Sequence, residues 1–397
     1  MFSSLKVKHF RVYWLGMFVS LIGTNMQLVA QSWLVFQLTN SAFLLGVVGF
    51  LGAIPIFLLS LFGGVLADRM NKRNILIFTQ IVFMFLAFIL ATLTQFKLIN
   101  PQQIMLIALL NGIIMAFDAP ARQSIIVELV GKEHLFNAIT LNSVAFNSSR
   151  IIGPAIAGML ISVIGMSGCF YLNGISFLAV IAALFWINLG RARMQNNNSA
   201  FEDLKEGVIF IGRNRSILGL VSMVAVMSLF GISYVMLMPV FASNVLHLGA
   251  RGLGILMSSV GLGALTGSLI LARLGDFKYK GRLLICSVFL FSFLLISFSL
   301  SKSYLWSVVL LIFLGGISVP VTAVINTLLQ TRVSDEFRGR VMSFFMITFA
   351  GIMPFGSLIS GSLAQALGVS TALLLCGLFC LASFTLISLL FAGLKDL

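Results

Sequence analysis

Charge is what this 397-residue sequence has least of: Asp, Glu, Lys and Arg together make 9% of it, against about 25% in a soluble domain. Hydrophobic residues make 59%, and the mean hydropathy is +1.10. A chain of this size with so few charges cannot cover itself in water, so lipid is its solvent. Acids are scarcer than bases, 11 against 25, for a net charge of +14. In a soluble protein that balance points to nucleic acid. Here there is neither a basic tail nor a soluble domain large enough for such a site, so nucleic acid is excluded as a partner. Four cysteines (Cys169, Cys286, Cys376, Cys380) all lie in apolar runs, and the three histidines (His9, His134, His247) are far apart. No disulfide framework, metal site or cofactor follows. There is no phosphate loop of the G-x-x-x-x-G-K type and no catalytic constellation, which argues against ATP drive and against an enzyme.

What the sequence has instead is long apolar runs. A helix needs about 20 such residues to cross a hydrocarbon core about 30 Å thick. Twelve candidates occupy residues 10–36, 43–66, 74–97, 102–122, 138–163, 167–189, 216–243, 253–273, 282–301, 304–330, 340–365 and 369–393. The runs are too long, and alternate too little, for barrel strands. The fold class is therefore an all-α membrane protein of twelve transmembrane helices. The basic start reads as leading into a retained first span, not a signal peptide. Lys and Arg gather at the N-terminus and after every even-numbered span up to the tenth, while Lys97, Arg251 and Lys302 fall on the opposite side. Both termini are then cytoplasmic by the positive-inside rule.

The chain repeats itself. Shifted by 208, Ser41–Gly46 falls on Gly249–Gly254, Asp68 on Asp276 and Lys72 on Lys280. Shifted by 203, the fourth and fifth spans fall on the tenth and eleventh, with Gly158 on Gly361. This divides the chain into a six-helix half at 1–189, a linker at 190–215 and a second half at 216–397. Parallel repeats of this kind place a transport site near the bilayer midplane. In the linker, Phe201, Leu204, Val208 and Ile211 share one helical face, as in a short amphipathic helix on the cytoplasmic membrane surface or a docked loop.

Between the second and third spans lies GGVLADRMNKRNIL, with its charges packed into one turn. It resembles the G-x-x-x-D-R-x-x-R-R signature of the major facilitator superfamily, and the span count and repeat extend that resemblance over essentially the whole chain. The signature falls on Gly64, Asp68, Arg69, Lys72 and Arg73. The resemblance implies a cytoplasmic gate, in which Gly64 admits a neighbouring helix and Asp68 meets the far half near Gly339 and Arg340. Asp276 is the weaker second copy. Asp118 and Arg122 form an i,i+4 pair at the end of the fourth span. Asp118 is the only acid inside any expected span. It either carries a proton or pairs with Arg69, Arg73 or Arg122 in the gate, and its shallow expected depth, about 6 Å, favours the gate. The family's arginine of this span falls at Ala108 and is missing.

In the fifth span, NSSRIIGPAIAG sets Arg150 about 18 Å in from the end of the run. A cation at that depth faces a cavity or a partner, and Ser143, Asn147 and Arg150 form one polar stripe. Such a cation favours an anionic or strongly hydrogen-bonding substrate. GPAIAG resembles the G-P-x-x-G-G element of proton-driven exporters, with Ala157 in place of one glycine, and gives Gly153, Pro154 and Gly158 a conformational role. Ser20, Thr24, Gln27 and Gln31 make a polar face on the first span. With Asn111, Asn147, Arg150, Asn173, Tyr234 and Asn326 they are the candidate lining of a substrate cavity, interhelical hydrogen bonding being the alternative for any one of them.

YWLG, DAPARQ, NAITLNS, RIIGPAIAG and FRGRVMS narrow the resemblance to the branch with enterobactin exporters and macrolide efflux proteins. The expectation is a monomeric inner-membrane exporter of a small or amphipathic molecule, working by alternating access with the proton as coupling ion and the lipid bilayer as its surroundings. The alternatives are a lysophospholipid flippase or nutrient importer on the same fold, and a non-transporting scaffold or sensor.

Overall fold

A computed structural model describes residues 3–187, 209–275 and 277–396. Residues 190–208 of the expected linker helix, the whole of Asp276 and the side chain of Asp68 lie outside the described residues. Among the described residues there is no strand, and eleven helices are long and apolar enough to cross a membrane. One of them, Glu133–Trp186, has 54 residues. At about 1.5 Å per residue that would be roughly 81 Å of helix, far beyond one bilayer crossing. Gly165, at φ 72°, breaks it into two. The result is twelve helices, as the hydropathy pattern predicts.

They are α1 (Lys8–Thr39), α2 (Ala42–Arg69), α3 (Lys72–Gln95), α4 (Pro101–Gly131), α5 (133–164), α6 (166–186), α7 (Arg215–Asn244), α8 (Ala250–Leu274), α9 (Lys280–Ser299), α10 (Tyr304–Arg332), α11 (Asp335–Leu367) and α12 (Val369–Leu390). Local chemistry sets their ends. Asn71 caps α3 by accepting from Arg73 N at 3.0 Å. Asn100 and Gln103 form a reciprocal capping box ahead of Pro101 in the first turn of α4, a device worth about 1 kcal/mol. α1 stops at Asn40, whose φ of 47° is left-handed. α7 carries a π-helical turn at Met227–Gly231, and Gly356 of α11 packs against the Leu229 and Ser228 carbonyls there.

The sequence pattern places a loop at 123–137. Instead α4 runs on to Gly131, whose φ of 66° makes the turn, and α5 starts two residues later. Hydropathy locates where hydrocarbon ends, not where a helix ends. Here the helix continues past the apolar run because its charges find partners, Glu128 pairing with Lys72 of α3.

The contacts divide the chain into two compact units. The first comprises Met1–Asn40, Leu51–Asn196 and Leu248–Ser258. In it α1 and α3 pack on α4 to α6, around a core that includes Phe10, Tyr13, Met17, Leu76, Ile125 and Leu184. The second comprises Ser41–Phe50, Asn197–His247 and Ser259–Leu397. In it α9 packs on α10 and α12, and α11 on α7 and α12. Large apolar side chains such as Phe62, Phe85, Val163, Phe293 and Leu389 stand exposed along the helices, as lipid contact requires.

The repeat reappears as matching contacts. A Cβ on Gly112 would meet Gly52 O, and one on Gly315 would meet Val260 O. One on Gly174 would meet the Phe88 ring, and one on Gly377 would meet Ile296. The shifts of 208 and 203 relate every residue in these pairs.

Candidate functional site

The most heavily hydrogen-bonded group in the first unit is Asp118 of α4. Its side chain has 0% exposure. Oδ1 accepts from Thr79 Oγ1 and Gln80 Nε2 of α3, each at 2.7 Å. Oδ2 accepts from Arg122 Nε at 2.8 Å and Nη2 at 2.5 Å. This is a two-pronged, charge-assisted pair. Arg122 also reaches Met17 Sδ of α1. Two buried polar atoms beside the pair have no hydrogen-bond partner among the described residues: Tyr13 Oη and Gln80 Oε1. Asp118 stands thirteen residues before Gly131, about 20 Å along α4 from the turn; the extra turns lie beyond the apolar run and leave its distance from the end of that run as expected.

The charged turn after α2 has other partners. Lys72 pairs with Glu128. Arg73 donates from Nε to Leu184 O at 2.7 Å and from Nη2 to Phe185 O at 3.0 Å. It thereby satisfies carbonyls that the end of α6 leaves open. Arg69 is exposed. A Cβ on Gly64 would meet nothing within 4 Å. In the second unit the Arg340 guanidinium lies 5.3 Å from the Phe337 ring centroid.

Along α5, one face carries Ser143, Asn147, Arg150, Pro154 and Gly158 at helical spacing. Above, this face is closed. A Cβ on Gly158 would lie 3.1 Å from Arg251 O and Gly254 Cα, and one on Gly254 would lie 2.5 Å from Pro154 O. Nearby, Ser258 Oγ donates to Ile151 O at 2.8 Å. Gly153 lets α5 approach α1, its added Cβ falling 2.9 Å from Ile22 O. Below the crossing the same face opens. Arg150 is half-buried, and its guanidinium lies 6.0 Å from the Phe146 ring centroid. Among the described residues it makes no ion pair or hydrogen bond. Asn147 turns its amide back to Ser143 O.

The expected cavity residues separate into two groups. Gln27 and Asn173 are buried and bonded to each other, Asn173 Nδ2 to Gln27 Oε1 at 2.7 Å, and Tyr234 is buried at the start of the helical segment after the π turn. Thr24 is exposed, while Gln31, Asn111 and Asn326 are half-buried. Asn326 accepts from Gln330. Sequence reasoning passed over Thr79, Gln80, Tyr13 and Asn25. Asn25 bridges Leu21 O and Ser149 Oγ at 2.9 and 3.1 Å. The adjacent polar pair in LIFTQIVF, inside an otherwise apolar span, was the available signal for Thr79 and Gln80.

A family model described as transmembrane secretion effector matches residues 1–394. The chain belongs to that family, within the major facilitator superfamily. Its relatives span nearly the same length. The staphyloferrin A transporter of Staphylococcus aureus is 28% identical over 89% of this chain and 87% of its own. Macrolide efflux protein A of Streptococcus pyogenes is 25% identical over 96% of each. An enterobactin exporter of Shigella boydii is 25% identical over 84% of this chain and 79% of its own. Among solved structures, an inward-facing bacterial homologue of the lysosomal transporter Spinster superposes with a TM-score of 0.75 at 13% identity, covering 98% of both chains. That likeness concerns the fold. The chain is thus a multi-pass membrane transporter of a small molecule.

Proposed function

We propose that this protein exports a small or amphipathic molecule across the bacterial inner membrane by alternating access, driven by a proton gradient. It acts as a monomer with both termini in the cytoplasm. The observation that carries the substrate side of this reading is Arg150. It is a membrane-embedded guanidinium without an ion-pair partner among the described residues, one turn below a glycine-lined helix crossing. A cation so placed costs several kcal/mol unless something answers it, and an anionic or richly hydrogen-bonding substrate is that answer. The relatives named for staphyloferrin A, enterobactin and macrolides support export of siderophore-like acids or drugs. Thr24, Gln31 and Asn111 supply neutral hydrogen-bonding groups. Gly153, Pro154 and Gly158 let α5 move as a unit. The turn from Gly64 to Arg73 belongs to the cytoplasmic gate.

The test uses inverted membrane vesicles given a pH gradient and either radiolabelled enterobactin or a macrolide. An exporter accumulates the probe inside such vesicles. A nutrient importer or a lysophospholipid flippase, the second reading on this fold, accumulates neither. Removing the gradient with a protonophore stops proton-driven accumulation and leaves passive exchange.

A further inference from the structure

The two units finish equivalent corners in different ways. In the second unit the C-terminal turn Ala392–Asp396 packs against α7, α9 and α12. Leu394 of that turn is fully buried. Its carbonyl comes so close to Gly281, at the start of α9, that an added Cβ would clash with it. Phe391 and Leu394 also press on Gly219 of α7. The corresponding helices of the first unit are α1, α3 and α6, and the shift of 208 puts Arg73 in the place of Gly281. An arginine cannot admit a carbonyl as that glycine does. Among the described residues no segment covers this corner, and Phe185 and Trp186 at the end of α6 stand exposed.

What the corner presents instead is a set of donors. Gly16 brings α1 against the Ala179 carbonyl of α6, and about two turns nearer the helix ends Lys8 Nζ lies 4.6 Å from the centroid of the Trp186 ring. From α3, Arg73 binds Leu184 O and Phe185 O through Nε and Nη2, which leaves Nη1 without a partner among the described residues. Trp186 Nε1 likewise makes no hydrogen bond among them. All three groups donate and none accepts. Glu128 of α4 is held by Lys72, and Lys8 and Arg73 make no ion pair among the described residues. Away from the helix ends the same faces turn apolar. Lys8 and Arg11 share a face of α1 with Leu15, and Phe185 shares one of α6 with Leu178. Leu15, Leu178 and Phe185 are all exposed.

We propose that the corner between Lys8, Arg73 and Trp186 binds the phosphate of an anionic phospholipid, whose acyl chains run along Leu15, Leu178 and Phe185. Unanswered donors call for an anionic acceptor. Tryptophan belongs at the level of the headgroups, and basic pockets between spanning helices suit anionic headgroups. The apolar faces that lead away from the donors lie in hydrocarbon, which a free phosphate would leave unused. A choline lipid would bring its own cation against Lys8 and Arg73. The lipid braces α1, α3 and α6 from outside the chain, as the C-terminal turn braces α7, α9 and α12 from within it. The site depends on where three helices end and not on what the transporter carries.

The full chain in a neutral detergent is given equal amounts of phosphatidylglycerol and phosphatidylcholine with the same acyl chains. Native mass spectrometry counts the lipids retained, and melting is followed with each lipid separately. Phosphatidylglycerol is expected to be retained in preference and to raise the melting temperature more than phosphatidylcholine does. Lys8→Gln should lower its retention about fivefold, the worth of one basic contact at a membrane surface, and Lys8→Gln with Arg73→Gln about twentyfold or more. Trp186→Phe keeps the ring, loses the N–H, and should weaken retention less than Lys8→Gln. Lys278→Gln, which removes an exposed cation beside the start of α9 in the second unit, should leave retention unchanged. A loss from Lys278→Gln equal to that from Lys8→Gln would reduce the effect to overall charge and overturn the proposal. So would an unsubstituted chain with no preference between the lipids, or displacement of the lipid by soluble glycerol phosphate at equal concentration. Arg73 also satisfies the end of α6, so if its variant does not fold, Lys8→Gln and Trp186→Phe decide the matter alone.

Discussion

Helices α5 and α11 hold equivalent places in the repeat, and they are alike at one level and opposite at the next. Gly153 and Gly158 of α5 correspond to Gly356 and Gly361 of α11. The first of each pair packs on backbone carbonyls, of Ile22 in one unit and Leu229 in the other. The second forms a crossing, Gly158 with Gly254 and Gly361 with Gly46. Even the closest approach repeats: a Cβ on Gly254 would lie 2.5 Å from Pro154 O, and one on Gly46 would lie 2.5 Å from Ser357 O. Below these crossings the resemblance ends. Ser143, Asn147 and Arg150 correspond to Met346, Ala350 and Met353 under the shift of 203. Helix crossings are constrained by backbone approach and change little, while the face beneath is free to diverge. On the function proposed above, α5 would carry selectivity for charge, where α11 has apolar, adaptable methionine.

The strongest way to break this comparison is to fill the crossings. Gly158→Val and Gly361→Val should each reduce probe accumulation in inverted vesicles by about a hundredfold or more, because carbon would be forced into backbone contacts, a strain of about 1–3 kcal/mol per site or above. Equal losses would mark the crossings as equivalent moving parts. Loss from one alone would end the equivalence. Next, Arg150→Met gives α5 the residue of α11. Accumulation of acidic enterobactin should fall about tenfold or more, with that of a macrolide changed by about twofold or less. Arg150→Lys should also fail with the acid, since an ammonium cannot copy a two-pronged contact. Equal loss of both probes in a folded protein would move Arg150 from recognition to the conformational cycle.

A smaller effect is expected at Gln27, whose partner Asn173 corresponds to Cys376. Gln27→Leu should lower thermal stability in detergent by about 1–3 kcal/mol, through an unsatisfied Asn173. Adding Asn173→Leu should restore most of it. A double variant no better than the single one would show that the bond does more than pair two buried groups. Smallest of all are the clamps beside the crossings. Ser258→Ala removes one bond to Ile151 O in the first unit, and Ser41→Ala removes one to Gln365 Oε1 in the second. Each should cost about 1 kcal/mol in melting experiments.

The span count and the two shifts could be read from the sequence because both depend on patterns of apolar residues and glycine that every helix must obey. The pairing of Asp118 with Arg122 was legible as i,i+4 spacing. Its partners on α3 were not, because Thr79 and Gln80 meet Asp118 only once two helices are packed. Likewise Gln27 and Asn173 look like cavity lining in one dimension and turn out to satisfy each other. Arg73 looked like part of a gate, and its hydrogen bonds to Leu184 O and Phe185 O depend on where α6 ends, which a hydropathy profile does not locate.

The spacing of Asp118 and Arg122 also bears on how the chain enters the bilayer during synthesis. A lone Asp or Arg at the middle of an inserting helix costs about 2.5–3.5 kcal/mol. Here the two charges sit one turn apart on the same segment, so the apolar run at 102–122 brings its own counter-ion to the translocon and enters electrically neutral without waiting for α3. Arg150 brings none. α5 must be carried in by its apolar remainder, or held near the translocon until neighbouring helices arrive. Helices α4 and α5 thus differ in when they can leave the insertion machinery, with α4 independent and α5 dependent on company.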